Sequence, residues 1–179
     1  FMQEILQEKI KNKKFLNKII SADEAVAQIE DGMTIGISGF TIFGEPKSFI
    51  RTLAHDANRR NIKVNLLTGA SSAPYADELM AKKDALYFRA PYQGDRTLRQ
   101  KINKGEVRYI DQHLSHVGDE IRKGTFGTID YAVIEAVAIT EDGKVIPSGS
   151  LGNTAAFAKY AENIIIEVKS EKYLSGLDY

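Results

Sequence analysis

The sequence predicts an α/β domain built on an open, mostly parallel sheet with helices on both faces. Short apolar stretches alternate with helical patterns along the chain, and no internal repeat or long linker interrupts them. Crossovers between parallel strands are right-handed and place helices against the sheet, so the alternation favours a parallel arrangement. The 179 residues, 43% of them hydrophobic, are enough for one sizeable core, and one domain is expected.

Caps, apolar spacing and turn residues predict the individual elements. Ser21 and Glu24 have the spacing of a capping box and predict a helix over 21–30, and Pro46 suits the first turn of another helix. The longest apolar run, 129–139, predicts a central strand, and 163–168 a buried central one. The other predicted strands are 33–40, 62–67, 85–89, 107–110 and 145–146, the last after a hairpin turn at 141–144. The other predicted helices are 75–83, 95–103, 113–123 and 153–161.

Composition and charge exclude several classes of protein. Lys plus Arg and Asp plus Glu both number 24, so we expect neither a nucleic-acid partner nor an anionic membrane. The absence of cysteine excludes a disulfide framework, Cys-ligated metals and a thiol nucleophile. Lysines interleaved with apolar residues over 9–20 predict an amphipathic helix in an N-terminal extension over 1–20, before the α/β domain over 21–179. With no apolar run near the roughly 18 residues of a membrane span and no signal-peptide pattern, a soluble cytoplasmic protein is expected.

Three loops that contain glycine lie at predicted strand ends. They are 36–44, 68–72 and 148–153. Gly39 and Gly44 have the spacing of a phosphate loop, but Glu45 and Pro46 stand where Lys and Ser or Thr are required, and the dinucleotide-binding glycine spacing is also absent. A tight turn or a helix cap explains each loop taken singly. The functional alternative is that their backbone N–H groups face an anion or a thioester oxygen.

Polar and aromatic side chains lie just past two predicted strands. Tyr92 and Gln93 follow one strand, and His113 and His116 follow the next. The two histidines share a helix face, but with no His-Glu-x-x-His pattern a metal site is less favoured than packing or hydrogen bonding, and no serine-hydrolase elbow is present. Because the carboxyl ends of parallel strands meet at one edge of a sheet, we expect one cleft to gather a set of residues. They are Gly39, Phe40, Ser71, Tyr92, Gln93, His113 and His116.

Several ordered segments together resemble the acetyl-CoA hydrolase/transferase family, which includes succinyl-CoA:acetate and 4-hydroxybutyrate CoA-transferases. They are 31–40, 67–71, 90–116, 129–136, 138–143 and 161–168. The resemblance covers nearly the whole chain from Ser21 onward, but only the N-terminal of the two similar α/β domains of that family. It implies acyl-CoA chemistry on a CoA-transferase fold.

The resemblance also implies how the chemistry is divided. In that family a glutamate of the C-terminal domain attacks the acyl-CoA, and an acyl anhydride and then a glutamyl-CoA thioester form. Glu45, Glu106 and Glu135 do not match the motif of that nucleophile, so no catalytic residue is assigned here. The implied partners are acyl-CoA and short-chain carboxylates, the C-terminal domain of the same polypeptide, and a second copy in a homodimer. CoA is implied as a substrate, with no tightly bound cofactor.

By the same resemblance this domain supplies one wall of the site. Gly39 and Phe40 would border the acyl group and the pantetheine end of CoA, and Ser71 would donate a hydrogen bond to the carboxylate of the acyl substrate. The other residues implied to bind substrate or CoA are Tyr92, Gln93, His113, His116 and Asn153. Two rival functions stay open: a sugar-phosphate isomerase, although the three loops contain no Lys or Arg for a phosphate, and a non-catalytic domain that binds an acyl-CoA or organic acid.

Overall fold

The centre of the fold is a seven-stranded, mostly parallel sheet. The computed structural model describes residues 2–72 and 74–169. The strands are β1 (Thr34–Ile37), β2 (Val64–Leu67), β3 (Leu86–Ala90), β4 (Arg108–Tyr109), β5 (Ile129–Ile139), β6 (Val145–Pro147) and β7 (Ala161–Val168). They lie in the order β4-β3-β2-β1-β5, and β6 and β7 both pair with β5. Since β6 alone of the described strands is antiparallel, the predicted mostly parallel sheet is confirmed.

Helices cover both faces of this sheet, as predicted. They are α1 (Met2–Lys9), a 3₁₀ helix (Lys13–Lys18), α2 (Ala22–Val26), α3 (Lys47–Arg60), a π-helical turn (Tyr75–Leu79) that continues into α4 (Met80–Lys82), α5 (Arg96–Asn103), α6 (Leu114–Lys123) and α7 (Thr154–Tyr160). The Ser21 hydroxyl and the Glu24 carboxylate form the predicted capping box at the start of α2. Among the described residues, no helix is long and apolar enough to cross a membrane.

Two hydrophobic cores lie on opposite faces of the sheet. Ile35 and Ile37 of β1 belong to the larger core, which also contains residues of α2, α3 and α4. Gly36 points to the other face, because successive strand residues alternate, and it lies against the ring of Phe157 in α7. A Cβ atom at Gly36 would lie 2.5 Å from that ring. The absence of a side chain therefore lets α7 approach the sheet closely.

Strand β5 organises the carboxyl half of the fold. Its bounds agree with the predicted strand, and it pairs with β1 over 131–133 and with β7 over 129–135. Beyond the end of β1 it continues to Ile139, and β6 returns antiparallel to it after the predicted hairpin turn. The Ser148 amide then donates to the Glu135 carbonyl at 3.2 Å. This return brings the loop 148–153 back to the level at which β1 ends.

The position of β7 differs from the prediction of a buried central strand. Among the described residues β7 pairs with β5 alone, so it lies at the edge of the sheet, and Ile164 is 50% exposed. An apolar run such as 163–168 can form either a central strand or an edge strand. Its sequence does not show whether another strand pairs with its outer side.

The N-terminal elements are also shorter than predicted. Helix α2 ends at Val26, well before the turn at Gly32, and the helix expected over 9–20 is replaced by the 3₁₀ helix. Ile10 is buried and forms a parallel bridge with Ile139, and the Lys11 amide donates to the Ile139 carbonyl at 2.8 Å. The end of β5 supplies hydrogen-bond partners for the backbone at Ile10 and Lys11. This part of the chain therefore does not need a helix to satisfy its backbone polar groups.

The contact between Gly36 and Phe157 is testable with a double-mutant cycle. Gly36→Ala should lower the free energy of unfolding by about 1–3 kcal/mol, because the new methyl group overlaps a buried ring. Phe157→Ala should cost about 3–5 kcal/mol through the cavity that it leaves. In the double variant the cavity accepts the methyl group, so urea unfolding should show a loss smaller than the sum of the two. Additive losses would contradict the close contact.

Candidate functional site

The predicted site residues lie on loops at one edge of the sheet. Strands β1 to β5 are parallel, so the loops that follow them gather at their carboxyl ends. We call this region the carboxyl edge and define it by the loops 38–46, 68–72, 91–95, 110–113 and 148–153. Seven of the eight substrate-binding residues implied by the sequence lie on the carboxyl edge. The eighth, His116, lies in the first turn of α6.

Three of these loops meet at a contact among three glycines. A Cβ atom on Gly69 would lie 2.1 Å from the Gly39 carbonyl oxygen and 2.9 Å from the Gly152 Cα atom. A Cβ atom on Gly152 would lie equally close to the Gly39 oxygen, at 2.1 Å. Gly39 itself has φ of +104°, which side chains rarely adopt. Only glycine at all three positions permits this approach, and the side-chain Nδ2 of Asn153 then donates to the Thr68 carbonyl at 3.2 Å.

Serine hydroxyls hold the segment 40–44 in this arrangement. Each serine comes from a different loop and donates to a backbone carbonyl of the segment. The bonds run from Ser38 Oγ to Gly44 O (2.6 Å), from Ser150 Oγ to Phe43 O (2.9 Å) and from Ser72 Oγ to Thr41 O (3.4 Å). The segment is therefore positioned by its neighbours, although its own side chains project outward.

A buried ion pair lies beneath the loops. Arg89 of β3 donates from Nε to Asp77 Oδ1 at 2.8 Å, and both side chains are 0% exposed. A second guanidinium nitrogen donates to the Ala70 carbonyl at 3.0 Å. The other carboxylate oxygen of Asp77 accepts from Ser71 Oγ at 2.8 Å and from the Ser72 amide at 2.7 Å. Every member of this network is satisfied, which is the condition for tolerating two buried charges.

Ser71 connects this network to the loop that follows β3. Its hydroxyl oxygen accepts from the Gly94 amide at 2.8 Å while its proton is donated to Asp77. Ser71 and the segment 92–94 therefore open onto the same part of the molecule. In this conformation the hydroxyl proton is already used within the chain, so a substrate carboxylate would have to compete with Asp77 for it.

Tyr92 and Gln93 stand on a loop supported by the next strand. The Tyr109 hydroxyl of β4 accepts a hydrogen bond from the backbone amide of Gln93 at 3.2 Å. Burial raises the pKa of this hydroxyl. The Gln112 amide donates to the Pro91 carbonyl at 2.9 Å, which ties the loop 110–113 to the same region. The Tyr92 side chain is 47% exposed, and the buried side-chain oxygen of Gln93 has no hydrogen-bond partner.

His113 and His116 lie at the start of α6 and are exposed. The Nδ1 atom of His113 lies 2.8 Å from Ser115 Oγ, and the two imidazole rings are 5.6 Å apart between centroids. Their role here is thus a helix cap and a ring contact. No group of three His, Cys, Asp or Glu that could hold a metal ion occurs within residues 2–72 and 74–169.

Glu45 is the buried group that the sequence interpretation missed. Its side chain is 0% exposed, Oε1 accepts the Ala76 amide at 3.0 Å, and Oε2 has no partner. Burial, with a contribution from the neighbouring Asp77 charge, raises the pKa of Glu45 to about 8. The burial of Arg89 has a signal in the sequence, because this charged residue lies inside the largely apolar strand Leu86–Ala90. The burial of Glu45 has none, because a glutamate before a proline is typical of an exposed turn.

Large apolar side chains are exposed on the outward side of the carboxyl edge. Half of the exposed large hydrophobic side chains in the described part of the chain lie on these loops. They are Phe40, Ile42, Phe43, Tyr92, Ile110 and Leu151. Clusters of exposed apolar side chains usually mark a surface that binds a ligand or another protein surface. The arrangement can therefore shape a pocket and exclude water.

Comparisons with known proteins identify relatives along nearly the whole chain. The profile of the acetyl-CoA hydrolase/transferase N-terminal domain matches residues 2–174. The succinyl-CoA:acetate CoA-transferase of Clostridium kluyveri is 40% identical over 172 residues, covering 95% of this chain and 32% of that protein. The acetyl-CoA hydrolase of Kluyveromyces lactis is 32% identical over 177 residues, covering 93% of this chain and 34% of that protein. The chain thus spans about a third of the length of these curated relatives.

Solved structures share the fold. The glutaconate coenzyme A-transferase from Acidaminococcus fermentans superposes with a TM-score of 0.62 at 15% sequence identity. The match covers 84% of this chain and 68% of that one. At such low identity the likeness concerns the fold alone, and it confirms the CoA-transferase fold that the sequence predicts.

The three-glycine contact predicts a sharp difference between two glycine substitutions. Gly69→Ala should lower the free energy of unfolding by about 1–3 kcal/mol or more, because the methyl group meets backbone atoms that cannot rotate away. The matched control is Gly118→Ala in α6, where the nearest atom to the new Cβ would be 3.8 Å away. That variant should be neutral or gain up to about 1 kcal/mol from helix propensity. Equal thermal stability of the two variants would refute the contact.

The buried ion pair predicts a strong dependence of stability on Asp77. Asp77→Ala leaves the Arg89 charge buried without a partner and should cost about 3–5 kcal/mol in chemical denaturation. Adding Arg89→Met should recover part of that loss, since no buried charge remains. Asp119→Ala removes an ion pair that is largely exposed and should change stability by less than about 1 kcal/mol. A cost for Asp77→Ala as small as that of Asp119→Ala would count against the network.

Proposed function

The chain belongs to the acetyl-CoA hydrolase/transferase family, and on that basis we propose that it is the N-terminal domain of an enzyme that transfers CoA between short-chain carboxylic acids. Its similarity to a succinyl-CoA:acetate CoA-transferase supports a carboxylate as the acceptor. The acetyl-CoA hydrolases among its relatives support the variant in which water is the acceptor. The observation that carries the proposal is the apolar carboxyl edge, where loops from five regions of the chain are fixed against one another.

The proposed reaction proceeds through a glutamate outside this chain. Its carboxylate attacks the thioester carbonyl of the acyl-CoA, and the CoA thiolate leaves as an acyl-glutamyl anhydride forms. The thiolate then attacks the glutamyl carbonyl of the anhydride and releases the first carboxylate. The resulting glutamyl-CoA thioester reacts with the second carboxylate by the reverse of these steps. Covalent catalysis of this kind divides one difficult transfer into easier ones.

Two buried glutamates, one on the carboxyl edge and one in β5, support a nucleophile from elsewhere. Glu45 is fully buried, and Glu135 is 3% exposed and accepts a hydrogen bond from the Ser148 hydroxyl. Neither carboxylate is presented to a thioester. A facing domain of the same polypeptide that carries the glutamate would complete the site, in accordance with the share of the relatives that this chain spans.

The part of this domain is to position the substrate and to keep water away. An anhydride hydrolyses readily, so the thiolate must reach it before water does, and an apolar wall favours that outcome. Phe40 and Tyr92 would contact the acyl group and the pantetheine arm, with Gly39 fixing the position of Phe40 through its contact with Gly69 and Gly152. The remaining proposed contacts are from Gln93, His113, His116 and Asn153. Ser71 would act mainly by fixing Gly94, since its proton is donated to Asp77.

The wider setting of the enzyme is also part of the proposal. CoA acts as a substrate and no other cofactor is required by this chemistry. We also propose a homodimer, which the family resemblance implies, and a cytoplasmic location. The rival function, a non-catalytic acyl-CoA sensor, predicts that the protein binds an acyl-CoA without turning it over.

The proposal predicts that the covalent intermediate forms outside this chain. Incubated with acetyl-CoA and then treated with hydroxylamine or borohydride, residues 1–179 should show no modified glutamate by mass spectrometry. The same chain continued by its C-terminal domain should show one, located after Tyr179, together with turnover. A modified glutamate inside residues 1–179 would place the nucleophile in this domain. A longer chain that binds acetyl-CoA without modification or turnover would favour the sensor.

The two exposed tyrosines of the β3 region provide a matched test of the wall. Tyr92 follows the carboxyl end of β3, whereas Tyr87 lies near its amino end, and the two are 47% and 40% exposed. In the full-length enzyme Tyr92→Ala should raise the KM for the acyl-CoA about tenfold, which corresponds to roughly 1.4 kcal/mol of lost binding. Tyr87→Ala should leave KM within about twofold. The reverse pattern in steady-state kinetics would exclude the carboxyl edge as the substrate wall.

A further inference from the structure

The buried region beneath the carboxyl edge holds more acidic groups than cations. Asp77 and Glu45 are both 0% exposed, and Arg89 is the buried cation beside them. Asp77 takes the guanidinium together with donors from Ser71 and Ser72, so its charge is well compensated. Glu45 receives a single backbone N–H and retains an oxygen without a partner.

Among the described residues, no cation forms an ion pair or hydrogen bond with the Glu45 carboxylate, although Arg89 and Lys47 attract its charge from a distance. The charges that face it are Asp77 from the π-helical turn, Arg89 from β3 and Lys47 from the first turn of α3. Lys47 is partly exposed, and the nearby amides of Ser48 and Phe49 are occupied by the carboxylate of Glu167 at 3.1 and 2.7 Å. The start of α3 is therefore not available to Glu45. A neutral, protonated carboxyl group is the form that suits this environment.

The neighbouring segment 40–44 is the part of the structure that can respond to ionisation. It carries Thr41 and Gly44 at positive φ values of 57° and 78°, and Phe43 is 62% exposed. Hydroxyl bonds from Ser38, Ser72 and Ser150 and the close packing of Gly44 against Ser150 hold it to the rest of the chain. Exposed loop segments generally open at a lower free-energy cost than strands of the core. Moving this segment outward would carry the Glu45 oxygen toward water.

We propose that Glu45 is a positioning residue that keeps the segment 40–44 closed only while its carboxyl group is protonated, so that this part of the carboxyl edge opens more readily as the pH rises. The sign follows from linkage: the closed state binds a proton that the open, hydrated state releases. Opening therefore becomes more favourable from about pH 4.5, the ordinary pKa of a glutamate, up to about pH 8, the pKa of the closed state, and then levels off. The proposal goes beyond CoA chemistry and does not depend on it.

Hydrogen–deuterium exchange of the chain measures this opening directly. In the wild type the protection factors of amides in 40–46, corrected for intrinsic exchange, should fall by up to about tenfold per pH unit between pH 6 and 7.5, as release of one proton requires. They should level off above pH 8. In Glu45→Gln, which cannot ionise, the protection should be independent of pH. Glu141→Gln, at the exposed tip of the β5–β6 hairpin, is the control and should behave as the wild type.

Infrared spectroscopy of the wild type provides a second readout that needs no variant. A component of the carbonyl stretch of protonated carboxylic acids should persist at pH 7 and disappear as the pH passes about 8, and this component should be missing from Glu45→Gln if that variant folds. No protonated carboxyl band above pH 6 would overturn the proposal. So would titration of Glu45 without a change in exchange at 40–46, because the residue would then carry a proton but not control the segment.

Discussion

The carboxyl edge depends on the approach of three backbone segments at Gly39, Gly69 and Gly152. Side chains at the last two positions would meet the Gly39 carbonyl oxygen at 2.1 Å, well inside any tolerable contact. Because the segments touch directly, the loops after β1 and β2 and the loop before α7 form one surface. The hydrogen bonds from the serine hydroxyls and from the side-chain Nδ2 of Asn153 to the Thr68 carbonyl then fix the orientation of that surface. The positions of Phe40 and Leu151 follow from this contact.

The close approach of these segments also determines which polar groups lie beneath that surface. Backbone segments brought so close cannot all be hydrated, and their carbonyls need donors from within the protein. Arg89 meets this need at Ala70, and Asp77 in turn neutralises the arginine and binds Ser71 and Ser72. Glu45 lies at the margin of this network without a cation of its own, which is why burial shifts its pKa upward.

The sequence predicted much of this architecture because its local signals agree with the fold. The run 129–139 is β5 with the same bounds, and Gly124 ends α6 in the left-handed conformation expected of a helix cap. Prediction failed where burial depends on distant parts of the chain. Ile164 lies in an apolar run, yet it is half exposed because β7 is an edge strand. The sequence around Glu45 indicates only a turn before a proline, and it does not predict that this side chain is buried. The gathering of site loops at one edge was predictable from parallel topology, whereas the glycine contact required coordinates.

The central claim, that the carboxyl edge is the substrate-facing wall, is tested most directly by mapping where a substrate analogue protects the enzyme. Hydrogen–deuterium exchange should be measured on the full-length protein with and without a non-hydrolysable thioether analogue of acetyl-CoA. The account predicts added protection within 38–46, 68–72, 91–95 and 148–153, and no change at the opposite edge, in the turns 30–33, 61–63 and 83–85. Protection at the opposite edge, or none in the carboxyl-edge loops while the analogue is bound, would contradict it.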